Sequence, residues 1–317
     1  MQALWLEKQS LTFRAAVPDP KPQPGEALIQ LSLGGICGTD LELLRGYYPY
    51  TGIPGHEFVG VVIDASESSW IGERVVGDIN LSCGMCKECK EGRPNHCEQR
   101  IALGVRGHPG AFAEYLTLPL ANLHRVSPGI PDETAVFTEP LAAALEIQQQ
   151  VMIRPDERVL LVGSGRLGLL VAQMLALTGC DLLVISRQPR TCELLATYHI
   201  ATIFPEDTPV RQMDVVIDAS GSTQGFDLAR RAVRPGGKII LKSTYAGTMD
   251  VNLSSLVVDE ITLVGSRCGP FVPALRLLES GKIDPRPLID AQYPLRDGLA
   301  AFEHASRQGV LKVLLHP

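Results

Sequence analysis

Apolar and polar positions divide the chain into stretches of different period. From Met1 to about Glu139, short β-type runs such as EALIQLSLGGI, FVGVVIDA and ERVVGD are broken by Gly, Pro and other turn residues, which predicts irregular β structure. From about Arg158 the pattern changes. RVLLVG, RLGLLVAQMLALTG, DLLVIS and TCELLATYH read as strand, helix, strand, helix, and further strands follow at MDVVIDASG, GKIILKST and EITLVGS. Strands alternating with helical stretches predict a parallel sheet covered by helices. Beyond Gly265 come an amphipathic PALRLLESGK, Pro-containing extended sequence, a helix-like DGLAAFEHASRQG and the apolar strand LKVLLHP, a tail that resembles the first part and is expected to pack back onto it. The expected fold is α/β: a doubly wound parallel-sheet domain at 141–266, inserted in a mostly β domain made of 1–140 and the return segment 267–317.

Composition narrows the function. The 317 residues are 45% hydrophobic and 20% charged, with a formal net charge of −6, so a sizeable core is expected. The aromatics are not interleaved with Lys or Arg runs, and neither a nucleic-acid nor an acidic-membrane footprint is present. Small molecules and other protein chains are the expected partners. Glu7, Lys8 and Gln9 interrupt the start where a secretory peptide needs an apolar run, and Gln173 interrupts the longest apolar stretch, so a cytoplasmic location is expected.

VLLVGSGRLG places Gly163, Gly165 and Gly168, with Leu167 between the last two, directly after a buried-strand pattern and at the start of a helical one. That context turns a weak glycine motif into a Rossmann dinucleotide turn. Gly163 permits the tight turn, Gly165 lets the backbone approach a pyrophosphate, and Gly168 lets helix and strand pack closely. The following strand ends in Ser186-Arg187, where an NAD-binding chain needs an acidic residue for the ribose. A hydroxyl and a guanidinium suit a 2′-phosphate, and Arg190 lies close by, so NADP(H) is expected over NAD(H). The alternative is that Arg187 and Arg190 only solvate a loop.

Eight cysteines are unevenly spread, and Cys83, Cys86, Cys89 and Cys97 fall within SCGMCKECKEGRPNHC. Four thiolates at this spacing can enclose one tetrahedral zinc with no open position, which marks a structural site. Iron–sulfur ligation is the competing reading, but the spacing departs from the usual ferredoxin patterns. Cys37 in GGICGTD, His56-Glu57 in IPGHEFVG and Glu139 in FTEPLAAAL each have a dull explanation singly. Together a thiolate, an imidazole and a carboxylate make a zinc site with room for water or substrate, hence Lewis-acid chemistry.

GGICGTD, PGHEFVG, the four-cysteine lobe, TEPLAAAL and VGSGRLG occur in the order found in the zinc-dependent medium-chain dehydrogenases, and the chain resembles that family along essentially its whole length. Glu139-Pro140 makes it most similar to the polyol, sugar and threonine dehydrogenase branch, because the alcohol dehydrogenases proper usually carry Cys at that position. The resemblance implies a GroES-like catalytic domain around a Rossmann domain. It further implies that Cys37 and His56 ligate a catalytic zinc, with Glu139 or Glu57 completing the shell directly or through water. By the same resemblance Asp40 orients His56, Thr39 passes the alcohol proton outward, and Glu42 either ends that relay or is an exposed helix-face residue. Zinc would lower the pKa of a bound alcohol, and hydride would pass between the carbinol carbon and C4 of the nicotinamide.

Other implied features are less specific. Lys312 occupies a place where relatives carry a basic residue near Glu57 or the cofactor phosphates; the alternative is a solvent-facing strand position. Tyr47, Tyr48, Tyr50 and Phe112 are candidate cleft residues. A dimer or tetramer is implied, with ITLVGS either the pairing edge of the sheet or an internal strand. The chain is some tens of residues shorter than a typical member, once between Glu57 and Cys83 and once where FPEDTPVRQ replaces a helix. Two alternatives stand beside an alcohol, polyol or sugar dehydrogenase: a reductase of a specialised carbonyl or imine, and a non-catalytic NADPH-binding regulator.

Overall fold

The computed structural model describes residues 1–244 and 248–317. The chain divides into two compact units, Met1–Glu139 with Phe271–Pro317, and Pro140–Pro270.

The first unit is built on a seven-stranded sheet whose path runs Leu123–Arg125, Arg74–Gly77, Glu57–Ala65, Glu26–Gly35, Lys312–His316 and Ile289–Pro294, with Tyr115–Pro119 also paired to Glu26–Gly35. Along Glu26–Gly35 buried residues alternate with more exposed ones until the strand sinks completely at Leu33–Gly35. The tail does return to this sheet. Leu314 and Leu315 pair antiparallel with Gly35 and Gly34, and the strand Lys312–Leu315 is buried throughout. Gly35 also lies opposite Glu57. One strand end therefore holds the start of the Glu57 strand on one side and the C-terminal strand on the other. Ala27, Ile29, Leu31, Phe58, Val62, Phe112, Phe302, Val313 and Leu315 share the core beneath.

The second unit is a six-stranded parallel sheet in the order Ala201–Ile203, Asp181–Ile185, Arg158–Val162, Met213–Asp218, Val233–Leu241 and Thr262–Gly265. Chain order reverses between Arg158–Val162 and Met213–Asp218, the crevice where doubly wound sheets bind ligands at their carboxyl ends. Val159 to Val162 are buried as a run, as expected of a strand covered on both faces. FPEDTPVRQ forms only a 3-10 turn at Pro205–Asp207 after the short strand Ala201–Ile203. ITLVGS is the edge: among the described residues, Thr262–Gly265 pairs with Val233–Leu241 alone.

Asp259 fastens the segment before this edge. It accepts from both terminal nitrogens of Arg211, at 2.7 and 2.8 Å, and from Arg230. The Arg211 guanidinium, then that of Arg230, holds its carboxyl down from 3.8 to about 2. A carboxyl held low contributes stability that is complete above its ordinary value and is lost as pH falls through the lowered one. Asp259→Asn is expected to lower Tm near neutral pH, and the gap to the parent protein should close between about pH 4 and pH 2. Thermal melts across that range check this; a gap that stays constant to the acid end would contradict it.

Candidate active site

Cys37 caps the helix Gly38–Leu44, which begins directly after the long strand. Asp40, in the first turn and wholly buried, accepts from the Cys37 backbone N–H at 2.8 Å and so fixes the cap. His56 and Glu57 enter from the neighbouring strand. One ligand atom each from Cys37, His56 and Glu57 lies within 4.8 Å of the others, and His56 and Glu57 are 2% and 1% exposed. Cys37 is half-buried, so the group opens on the thiol side. Glu139, in the first turn of Thr138–Gln150 and half-buried, lies outside this three-residue group.

The electrostatics of the group are unusual for a protein interior. Glu57 Oε2 accepts from the Lys312 ammonium, itself 3% exposed, which also reaches the Ile36 carbonyl at 3.5 Å and lies 5.4 Å from the Phe137 ring centre. Lys312 is thus a buried partner of Glu57, and the solvent-facing alternative is corrected: its strand is flanked by strands on both sides and covered. Gly35 makes room for the pair, since a Cβ there would come within 2.5 Å of Glu57 Oε2.

The second carboxylate oxygen, Glu57 Oε1, is buried with no hydrogen-bond partner among the described residues, as are His56 Nδ1 and Asp40 Oδ1. The latter two are 3.4 Å apart, an ion-pair distance whose angles do not make a hydrogen bond. Burial pulls the His56 imidazole down, but the Asp40 and Cys37 charges and their contacts outweigh it and leave the ring well above its ordinary value. Buried polar atoms without partners are costly. A cation held by the Cys37 sulfur, the imidazole and Glu57 Oε1 would give that carboxylate oxygen a partner, and a thiolate–imidazole–carboxylate donor set suits zinc.

Thr39 is half-buried on the same helix. Glu42, one turn on, is paired with Arg45 at 2.6 Å, with its side chain 24% exposed. Of the four aromatic candidates, Phe112 is corrected: it is 0% exposed, packs edge-on against Phe302 and belongs to the core. Tyr47 is exposed, Tyr48 is half-buried, and the Tyr50 phenol lies within 2.7 Å of the Ile53 carbonyl and 3.0 Å of that of His108. Burial, then the Asp40 charge, raises its pKa. Tyr50 therefore ties two loops together as a neutral donor.

Cys83, Cys86, Cys89 and Cys97 converge within 4.8 Å. Backbone N–H groups of Met85 and Cys86 point at Cys83 Sγ at 3.5 and 3.3 Å and pull its thiol down to about 6. The Cys89 N–H likewise lowers Cys86. Cys89 is pushed up to about 11 by burial and the sulfurs around it. Amides aimed at sulfur prepare thiolates, and thiolates this close to one another require a cation between them.

In the second unit, Gly163 adopts φ +105°, and a Cβ there would meet Ser220 Cα at 2.9 Å. A Cβ on Gly168 would collide with the Gly163 carbonyl, whereas nothing lies within 4 Å of one on Gly165, the N-cap of the helix Arg166–Ala176. Gly163 and Gly168 thus serve the packing of the chain on itself, and Gly165 keeps an open face above a helix N-terminus. Leu167 is half-buried in the first turn. Ser186 differs from its expected placement. It is 2% exposed, and its hydroxyl closes a ring with Ser164 at 2.8 Å and Thr191 at 2.7 Å, tying the glycine turn to the next strand and helix. Ser164 and Thr191 carried no signal in the sequence beyond being small hydroxyl residues. Arg187 and Arg190 are exposed.

Residues 23–128 match the alcohol dehydrogenase GroES-like domain and residues 167–280 the zinc-binding dehydrogenase domain. The sorbitol dehydrogenase of Halalkalibacterium halodurans is 30% identical over 100% of this chain and 99% of its own length. The chain belongs to the zinc-dependent medium-chain dehydrogenase family. It lies in the polyol and sugar branch, and it is an oxidoreductase. Among solved structures, a zinc-binding dehydrogenase from Sinorhizobium meliloti 1021 bound to NADP has TM-score 0.91 at 28% identity, covering 100% of this chain and 99% of that one. The RspB alcohol dehydrogenase of Escherichia coli CFT073, complexed with NADH, has TM-score 0.92 at 28% identity with the same coverage. Dehydrogenases of this family thus surround the chain in both sequence and fold, with either nicotinamide cofactor.

Proposed function

We propose that this dehydrogenase interconverts a secondary alcohol of a polyol or sugar and the corresponding ketone, using NADP(H) and a catalytic zinc. The observation that carries the reading is the buried Cys37–His56–Glu57 group with Glu57 Oε1 left unpartnered. Those three residues would hold the catalytic ion, with Glu139 near enough in the family pattern to exchange with Glu57, and the four-cysteine lobe would hold a structural one. Bound zinc supplies Lewis-acid polarisation of the substrate oxygen, and the nicotinamide exchanges hydride with the carbinol carbon.

The chain's own residues handle proton and position. Thr39 Oγ1 takes the hydroxyl proton of the alcohol and releases its own. Glu42, on the same helix face three residues later, receives it at a carboxylate that reaches solvent. Asp40 anchors Cys37 through its backbone and biases the His56 ring by charge. Gly163 and Gly168 shape the turn so that the backbone at Gly165 and Leu167 receives the pyrophosphate at the helix N-terminus, and Arg187 with Arg190 favours the 2′-phosphate. Eight cysteines, none of them in a disulfide among the described residues, fit a reducing, cytoplasmic setting, and no helix among the described residues is long and apolar enough to cross a membrane.

Zinc-loaded protein offered sorbitol, D-arabinitol, erythritol and simple secondary alcohols with NADP⁺ or NAD⁺, followed by nicotinamide absorbance, tests the reading. Reduction of NADP⁺ by a polyol supports it. Failure of every polyol and sugar alcohol with either cofactor, while an unrelated carbonyl or imine is reduced, would overturn it.

The edge strand Thr262–Gly265 would pair with that of a second copy. Leu263 on it is 45% exposed, and Leu253, Val257 and Val258 of the preceding helix are 67%, 75% and 79% exposed. Leu263→Lys is expected to halve the mass seen by light scattering; an unchanged mass would exclude this edge as the interface.

A further inference from the structure

We propose that Arg231 is a second specificity-determining residue for the 2′-phosphate of NADP(H), acting with Arg187 across one groove. The inference rests on the NADP(H) reading above and names the residue that completes it.

The groove lies in the second unit and is lined by Arg187, Pro205, Gln224, Asp227, Leu228 and Arg231. Arg187 and Pro205 follow the carboxyl ends of the strands Asp181–Ile185 and Ala201–Ile203. The other four belong to the helix Thr223–Ala232, which follows the strand beyond the crevice. This is the side of a doubly wound sheet on which an adenosine end arrives. Pro205 and Leu228 give it an apolar surface for a flat ring, and the two guanidiniums give it charge.

The placement of Ser186 removes one of the phosphate ligands that the sequence leads one to expect. Its hydroxyl is committed to the ring with Ser164 and Thr191 and sits 2% exposed. A doubly charged phosphate facing Arg187, with Arg190 on the exposed start of the next helix, gains from a further guanidinium that is held in place. Arg231 stands two helical turns below Gln224 along the helix, yet its long side chain brings the guanidinium back up, where Nη2 donates to the Pro205 carbonyl at 2.9 Å. One of its five N–H groups is thereby used to orient the fork. Among the described residues neither Arg187 nor Arg231 has a carboxylate within ion-pair distance, whereas Arg158, Arg211, Arg230 and Arg234 of this unit do. Two guanidiniums against the single carboxylate of Asp227 leave the groove net positive. A dianion recognised by two oriented forks is the ligand this charge arrangement fits.

The test is equilibrium binding to the full-length, zinc-loaded protein. NADPH and NADH are titrated by nicotinamide fluorescence, and 2′,5′-ADP and 5′-AMP are used as competitors, on the parent protein and on Arg187→Ala, Arg231→Ala and Arg231→Gln. Glutamine keeps a donor for Pro205 and guards against a folding defect. The expected result is that the parent prefers NADPH, and that both Arg231 variants lose roughly tenfold to a hundredfold affinity for NADPH and 2′,5′-ADP. Their affinity for NADH and 5′-AMP should move by less than about twofold, because those ligands lack the group being read. If the parent prefers NADPH but the Arg231 variants keep that preference, or weaken both cofactors equally, the role of Arg231 is overturned while the NADP(H) reading stands. If the parent binds NADH as tightly as NADPH, the NADP(H) reading itself falls, and this inference with it.

Discussion

Cys37→Ser is expected to lower turnover by at least about a thousandfold, since removing Lewis-acid stabilisation of the developing alkoxide costs several kcal/mol of barrier. Cys37 is one of three candidate donors in the group, and it is the least buried of them. The same substitution should remove one zinc per chain and leave the second in place, because the four-cysteine lobe is built from a separate loop with its own backbone donors. Tm should change little, since Cys37 is half-buried and the helix cap is kept by the Asp40 carboxylate and a backbone N–H that serine also has. Zinc analysis, steady-state turnover and a thermal melt on one preparation check all three. Cys37→Ser protein that retains both ions and full turnover would remove Cys37 from the site.

Lys312→Met is expected to cost about 3–5 kcal/mol of folding stability, the range for breaking a buried ion pair and stranding one charge. Glu57 is 1% exposed, and among the described residues the hydrogen-bonding partner of its carboxylate is the Lys312 ammonium, so the stranded charge stays buried. Removing both charges should be far milder than removing one. Lys312→Met combined with Glu57→Gln is therefore expected to recover most of the loss, measured by urea unfolding. If the double variant is as unstable as the sum of the single ones, the two residues act independently and the pair does not organise the site.

The contrast between what was legible and what was not follows the range of the interactions. Gly163, Gly165 and Gly168 could be read because strand, turn and helix are consecutive, and the cysteines of the lobe because all four ligands lie in one loop. FPEDTPVRQ announced its lack of a helix through Pro205 and Pro209, whose effect on the backbone is local. Lys312 was ambiguous because alternation along VLKVLL says nothing about whether a strand has neighbours on both sides. That strand meets Glu57 through pairing with a segment some 280 residues earlier in the chain, with Lys312 and Glu57 themselves 255 apart. Phe112 was placed at a cleft by sequence order, but its ring fills the space left by Gly34 and Gly55, which only the folded sheet reveals. Ser186 was recognised by its position after the strand, while its side-chain direction is set by two other hydroxyls, one before and one after it in sequence. The Asp40–His56 contact was expected as a hydrogen bond. The structure has the residues adjacent at 3.4 Å without the geometry, consistent with a ring whose orientation the other ligands complete.

The most direct measurement is the zinc content of the purified protein, taken with and without Cys37→Ser and Cys97→Ser. The geometry predicts two ions per chain in the parent, one lost with turnover in Cys37→Ser, and one lost with a fall in Tm but not with selective loss of turnover in Cys97→Ser. A parent protein holding a single zinc that survives Cys37→Ser would contradict the catalytic site, because the thiol, imidazole and carboxylate would then have been assembled for something other than a metal.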